Sequence, residues 1–144
     1  MLKDAYPYFI FDRQAEEAMN FYAEVLQATV LDLTRYKEMP SMEDQQPVPD
    51  DVKELVMNGT IQLPNGTYIV FSDNYPGAPY TIGNNITVTL VYTDPEDTQK
   101  VFDVLKENGH IEMELQETFW SPLYGNVTDK YGVQWQLSTV PEES

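Results

Sequence analysis

Apolar residues recur along this chain in two rhythms. Between residues 15 and 26, Ala18, Phe21, Tyr22, Val25 and Leu26 keep the three-and-four spacing of one helix face, with Glu16, Glu17, Asn20 and Glu24 largely elsewhere on the surface. Period-two stretches surround that helix. Tyr6-Pro7-Tyr8-Phe9-Ile10-Phe11 and Thr29–Tyr36 read as strands, and Glu54–Leu63 and Thr67–Asp73 as a pair joined by the turn Pro64-Asn65-Gly66. The rhythm then returns. Ile86–Tyr92 predicts a strand, Asp94-Pro95 opens a helix with Val101, Phe102 and Leu105 on its apolar face, and Asn108-Gly109 closes it. Ile111–Leu115, Tyr124–Thr128 and Val133–Leu137 follow as strands, the last two joined by Asp129-Lys130-Tyr131-Gly132. In the final strand Val133, Trp135 and Leu137 share a core face. Gln134, Gln136 and Ser138 share the other, which meets either solvent or a cavity.

The two halves echo each other. Asn58–Ser72 aligns with Tyr124–Ser138 at a constant offset of 66 (124 − 58), placing Gly59 on Gly125, Ile61 on Val127, Gly66 on Gly132, Ile69 on Trp135 and Phe71 on Leu137. Glycines and apolar phase match together, so the chain contains an internal repeat. The helices match at an offset of 80 (Tyr22 with Phe102, 102 − 22). The difference of 14 (80 − 66) is close to the length of an acidic, proline-rich stretch in the first half. Each half therefore reads strand, helix, three strands. We divide the chain into a first module over 1–73, a Pro/Gly-rich connector over 74–85, and a second module over 86–144.

The stretch at 37–52 carries three prolines and five acids, which excludes a sheet interior. It is either a surface excursion or a lid over a pocket. Charge changes the picture further. With 24 acidic against 8 basic residues the net charge is −16, which argues against nucleic acid and anionic membrane surfaces as partners. The chain has no cysteine, which removes disulfides, thiol nucleophiles and Cys-based metal sites. No signal-peptide pattern or membrane-length apolar run is visible, and the expected location is the cytoplasm.

A duplicated strand–helix–three-strand unit resembles the vicinal oxygen chelate superfamily, which holds glyoxalase I, bleomycin-resistance proteins and extradiol dioxygenases. Pro7-Tyr8 before Ala15-Glu16-Glu17-Ala18 and Phe21-Tyr22 resembles the PhnB-like branch, often labelled a 3-demethylubiquinone 3-methyltransferase-like domain. So does Glu117-Thr118-Phe119-Trp120 before Asp129-Lys130-Tyr131-Gly132-Val133-Gln134-Trp135. The resemblance covers Ala5 to Val140. It implies an α+β fold of two βαβββ modules in tandem, forming curved mixed sheets around a groove. The methyltransferase label adds little, because no glycine-rich nucleotide loop follows the first strand.

In metal-using members the ligands come from the cavity face of strand ends in each module. Carried over by position, these fall near Tyr6, Val70, Thr87 and Gln136. A divalent Lewis-acid site wants imidazole or carboxylate. Tyrosine is a poor ligand at neutral pH, threonine and glutamine carry no charge, and valine has no donor. The sole histidine, His110, sits just past a helix end without a partner in that set. No metal and no cofactor are expected.

The expected ligand-binding residues are then Tyr6, Tyr8, Tyr68, Val70, Thr87, Thr89, Gln134 and Gln136, with Trp120 and Tyr124 either capping the groove or packing at a module or dimer interface. No catalytic residue can be assigned, since neither a Ser/His/Asp set nor a close carboxylate pair is evident. The leading reading is a metal-independent binder of a small organic ligand in the inter-module groove, acting as a homodimer. A metal-dependent lyase or dioxygenase, and a drug-sequestering protein that holds a cationic ligand by aromatic stacking and acidic charge, are the alternatives.

Overall fold

The computed structural model describes residues 1–39 and 48–142. The elements run β1 (Tyr8–Phe11), α1 (Ala15–Val25), β2 (Thr29–Arg35), a 3₁₀ turn (Tyr36–Glu38), β3 (Val56–Gln62), β4 (Tyr68–Asp73), β5 (Val88–Tyr92), α2 (Pro95–Leu105), β6 (His110–Gln116), β7 (Tyr124–Thr128) and β8 (Gln134–Thr139). They divide into two compact units, Met1–Tyr80 and Thr81–Ser144, the boundary falling inside the 74–85 connector. Each unit carries one four-stranded sheet, ordered β1-β4-β3-β2 in the first and β5-β8-β7-β6 in the second. The first strand runs parallel to the last, and the other pairs are antiparallel. This is the α+β, tandem βαβββ architecture expected, with neither sheet closed.

Three strands start two residues later than the sequence reading, and three more differ by one residue. β1 begins at Tyr8 rather than Tyr6, because Pro7 offers no N–H and contributes only its carbonyl, to the N–H of Val70 (3.1 Å). β3 begins at Val56 rather than Glu54. β5 begins at Val88 rather than Ile86, whose side chain is exposed. The 37–52 stretch leaves through a turn in which the Pro49 carbonyl accepts the N–H groups of Val52 (2.9 Å) and Lys53 (3.1 Å), and Val52 is buried. The surface-loop or lid expectation falls in part on residues 40–47, which lie outside the described residues.

Helix α1 packs on one face of the first sheet. Ala15, Ala18, Met19 and Tyr22 are buried against Ile61, Ile69 and Phe71. Tyr22 and Phe71 stack with ring centroids 5.8 Å apart, and Phe9 meets both edge-on. Helix α2 buries Val101, Phe102 and Leu105, while Leu90, Val127, Trp135 and Leu137 are buried in its sheet. After each helix the chain turns through a left-handed residue, Gln27 (φ 54) and Asn108 (φ 57), equivalent at an offset of 81 (108 − 27). The β3–β4 and β7–β8 turns likewise use Gly66 (φ 94) and Gly132 (φ 89), a backbone that side-chain-bearing residues resist.

The helix starts are satisfied in different ways. In α2 the N-cap Asp94 accepts the N–H of Glu96 (2.9 Å) and Pro95 occupies the first turn, a local solution. In α1 the N-cap is Gln14, whose side chain makes no capping bond. The acceptor comes instead from the end of β4: Asp73 Oδ1 takes the N–H of Ala15 (2.9 Å) and its Oδ2 takes that of Val56 (2.9 Å). Asp73 is 2% exposed. Its repeat equivalent is Thr139 (73 + 66), which is buried and hydrogen-bonds Thr98 of α2 through its hydroxyl (2.7 Å). On the surface of the first unit, Arg35 makes a two-pronged contact with Glu16 (3.1 and 2.8 Å), whose carboxyl is held below its ordinary pKa by that hydrogen bond.

Both outer antiparallel strands are irregular. Pairing of β2 with β3 shifts register between Val30 and Asp32, and pairing of β6 with β7 shifts between Ile111 and Met113, again at an offset of 81 (111 − 30).

The Asp73 arrangement sets an expected cost. Asp73→Ala leaves two interior N–H groups unpaired and should destabilise the protein by roughly 2–4 kcal/mol in urea unfolding. Asp73→Asn keeps one acceptor oxygen and should lose about half as much. A loss below about 0.5 kcal/mol for the alanine variant would contradict the anchoring role.

Candidate functional site

Alternation along β8 separates two environments. Trp135 and Leu137 point to the helix side, 1% and 0% exposed, while Gln134 and Gln136 occupy the opposite face. The register is pinned from the turn before it. Asp129 is buried and accepts the indole N–H of Trp135 (2.8 Å) together with the backbone N–H groups of Tyr131 (2.9 Å) and Val133 (3.1 Å). A large aromatic thus fills the core and its polar atom has a partner.

On the open face a polar cluster forms around Gln136. Its amide oxygen accepts the Tyr124 hydroxyl, and its amide nitrogen donates to Thr87 Oγ1 (2.9 Å). Trp120 packs edge-on against Tyr124 with centroids 5.2 Å apart, and Phe119 against Trp120 at 4.7 Å. Beside this chain lies a cavity of about 300 Å³, lined by Asn84, Thr87, Glu112, Asn126, Gln134 and Gln136, with Val127 and Trp135. Asn126 faces Gln136 directly across the β7–β8 ladder. Its side-chain oxygen is buried and has no hydrogen-bond partner among the described residues. Glu112 accepts the Thr128 hydroxyl (3.1 Å) through Oε1, and its Oε2 lies 3.8 Å from the exposed His110.

The first unit carries a cavity of about 310 Å³ near the start of its own sheet, lined by Asp4, Ala5, Tyr6, Asn65, Gly66, Thr67 and Tyr68. Tyr6 and Tyr68 meet edge-on across it at 6.4 Å. Tyr68 is the repeat equivalent of Gln134 (68 + 66), so related positions carry aromatic chemistry in one unit and amide chemistry in the other. Tyr8 and Val70 are register partners in β1 and β4 and line neither cavity.

Of the residues singled out from the sequence, the second unit brings Thr87, Gln134 and Gln136 to one cavity and ties Tyr124 to it through Gln136. Thr89 is the register partner of Gln136 but is exposed and does not line the cavity, and neither does Trp120. Asn84, Glu112 and Asn126 were not anticipated. Asn126 and Glu112 could have been found by extending the face alternation to β7 and β6. Asn84 carries no such signal.

The donor chemistry of Tyr6, Val70, Thr87 and Gln136, the positions to which the resemblance carries the metal ligands, does not suit a divalent ion. Val70 has no donor atom, and both ends of the Gln136 amide are already committed to Tyr124 and Thr87. Among the described residues no group of three or more His, Cys, Asp or Glu is placed to hold a metal. Nor is a phenolate primed at Tyr36, Tyr80 or Tyr92. Burial raises all three above the ordinary value, Tyr92 to about 12. No helix among the described residues is long and apolar enough to cross a membrane.

Comparison with known proteins places this geometry. The family model for the Glyoxalase/Bleomycin resistance protein/Dioxygenase superfamily matches residues 7–137. Protein YjdN of Escherichia coli K12 is 30% identical over 142 residues, 95% of either chain. Protein PA1353 of Pseudomonas aeruginosa superposes with a TM-score of 0.86 at 26% identity, covering 98% of this chain and 100% of that one. A Bacillus cereus PhnB protein, described as a putative 3-demethylubiquinone-9 3-methyltransferase, gives 0.79 at 28% identity, covering 96% and 100%.

The two faces of β8 should separate on mutation. Trp135→Ala should destabilise by roughly 3–5 kcal/mol as a large core truncation, and Gln136→Ala by about 1 kcal/mol or less. Thermal melts of the two variants check this, and a larger loss for Gln136→Ala would contradict the face assignment.

Proposed function

The chain belongs to the Glyoxalase/Bleomycin resistance protein/Dioxygenase superfamily, and from that premise we propose that it is a metal-independent, PhnB-like binding protein for a small organic ligand. The observation that carries the reading is the polar cavity of the second unit, with the buried oxygen of Asn126 at its wall, unpartnered among the described residues. A buried polar atom without a partner costs free energy. A ligand that satisfies it recovers that cost on binding. At about 300 Å³ the cavity lies at the small end of the range of ligand pockets. The lining is pre-organised: the Gln136 amide is held at both ends, so it cannot reorient as a ligand enters.

The enzyme alternatives in this superfamily, lyases and dioxygenases, work through a metal Lewis acid. They call for imidazole and carboxylate donors at positions occupied here by Tyr6, Val70, Thr87 and Gln136. We also infer a homodimer, supported by Phe119 and Trp120, which are 97% and 52% exposed side by side ahead of β7, as aromatics at a subunit contact would be in a lone chain.

Two measurements test these statements. Elemental analysis of the purified protein should find no stoichiometric divalent metal, and a chelator should leave the melting temperature unchanged. A metal bound through these side chains would overturn the reading. Light scattering at micromolar concentration should return twice the chain mass, and Trp120→Ser should move the protein toward the monomer.

A further inference from the structure

We propose that the cavity of the second unit seats a compact cationic head group rich in N–H donors, of the amidinium class, between the Glu112 carboxylate and the Asn126 side-chain oxygen. The proposal rests on reading this cavity as a ligand site and adds the chemical class of what enters it.

The argument is an accounting of unused hydrogen-bonding capacity. The Gln136 amide is engaged at both ends, its oxygen by Tyr124 and its nitrogen by Thr87, and keeps one N–H and one lone pair. Glu112 offers two carboxylate oxygens, acceptors only when ionised, and just one of them takes a hydrogen bond, from Thr128. The Asn126 oxygen takes none. The amides of Asn84 and Gln134 offer donors and acceptors alike, so the sign of the ligand is set by Glu112, the one charged side chain among the lining residues, half-exposed and with its second oxygen 3.8 Å from His110. No Lys or Arg lines the cavity, and the chain as a whole carries −16. An anionic head group would meet the like charge of Glu112. A neutral amide could satisfy Asn126 but would gain no charge-assisted bond from the carboxylate. A cation with two N–H-bearing nitrogens answers both needs, through charge-assisted bonds that are stronger than neutral ones.

The spacing suits this. Glu112 is tied to Thr128, and Thr128 and Asn126 share one face of β7 two positions apart, so carboxylate and amide flank the same stretch of the cavity wall.

The test titrates the ¹⁵N-labelled full chain with benzamidine, benzamide and benzoate at one ionic strength, following the side-chain amide signals of Asn126 and Gln136. Benzamidine should shift the Asn126 signals saturably and bind about tenfold or more tighter than benzamide. Benzoate should leave them in place. Glu112→Gln should weaken benzamidine binding roughly tenfold. Glu107→Gln removes an equal charge from an exposed position beyond α2 and should leave the affinity unchanged. Benzamide or benzoate binding as well as benzamidine overturns the cationic assignment while leaving the cavity a ligand site. Equal weakening by Glu107→Gln overturns the seat at Glu112. No saturable shift with any of the three overturns both this inference and the binding function beneath it.

Discussion

The Asp73 carboxylate receives two backbone N–H groups that nothing nearby in sequence satisfies, that of Ala15 at the start of α1 and that of Val56 at the start of β3. Those two points, with the end of β4 that carries the carboxylate, are where helix and sheet of the first unit meet. The negative charge also sits at the positive end of the helix, where it is favoured. The second unit has no such need, because Asp94 caps α2 locally, and Thr139 stands where the carboxylate would be. One architecture is thus secured twice by different chemistry.

A similar division of labour runs through the last strand. Trp135, held by Asp129 on the packed face, sets which side chains its neighbours turn to the opposite face. Gln136 and Gln134 can therefore be polar at little structural cost, since stability is supplied by the other side of the same backbone. The cavity wall can change its chemistry without disturbing the core. The contrast between Tyr6 and Tyr68 in one unit and Thr87 and Gln134 in the other is that freedom in use.

Much of this was legible in the sequence wherever the governing interactions are local or periodic. The helix over Ala15–Val25, the Gly66 and Gly132 turns and the opposite faces of Trp135 and Gln136 follow from spacing alone. Strand starts were less legible, because pairing decides them: Pro7 reads as strand by composition yet cannot donate, and Ile86 reads as strand yet lies outside the ladder. The role of Asp73 was hidden for the same reason, its partner Ala15 lying 58 residues away. In the cavity, Gln136 and Thr87 were legible from strand phase. Asn126 and Glu112 lie on β7 and β6, where alternation alone marks them as facing outward with nothing in the sequence to tell cavity from solvent.

The register shift in β6 has a twin in β2 at the equivalent place. Its presence at the same place in both repeats makes it a property of the βαβββ unit rather than of either copy. Each of these strands has a ladder partner on one side only within its sheet, and a regular strand so placed is a template on which further chains can add without limit. A bulge spoils the template by leaving one residue out of step and bending the edge. In a chain rich in aromatic and β-branched residues, this irregularity amounts to a built-in safeguard against fibrous polymerisation.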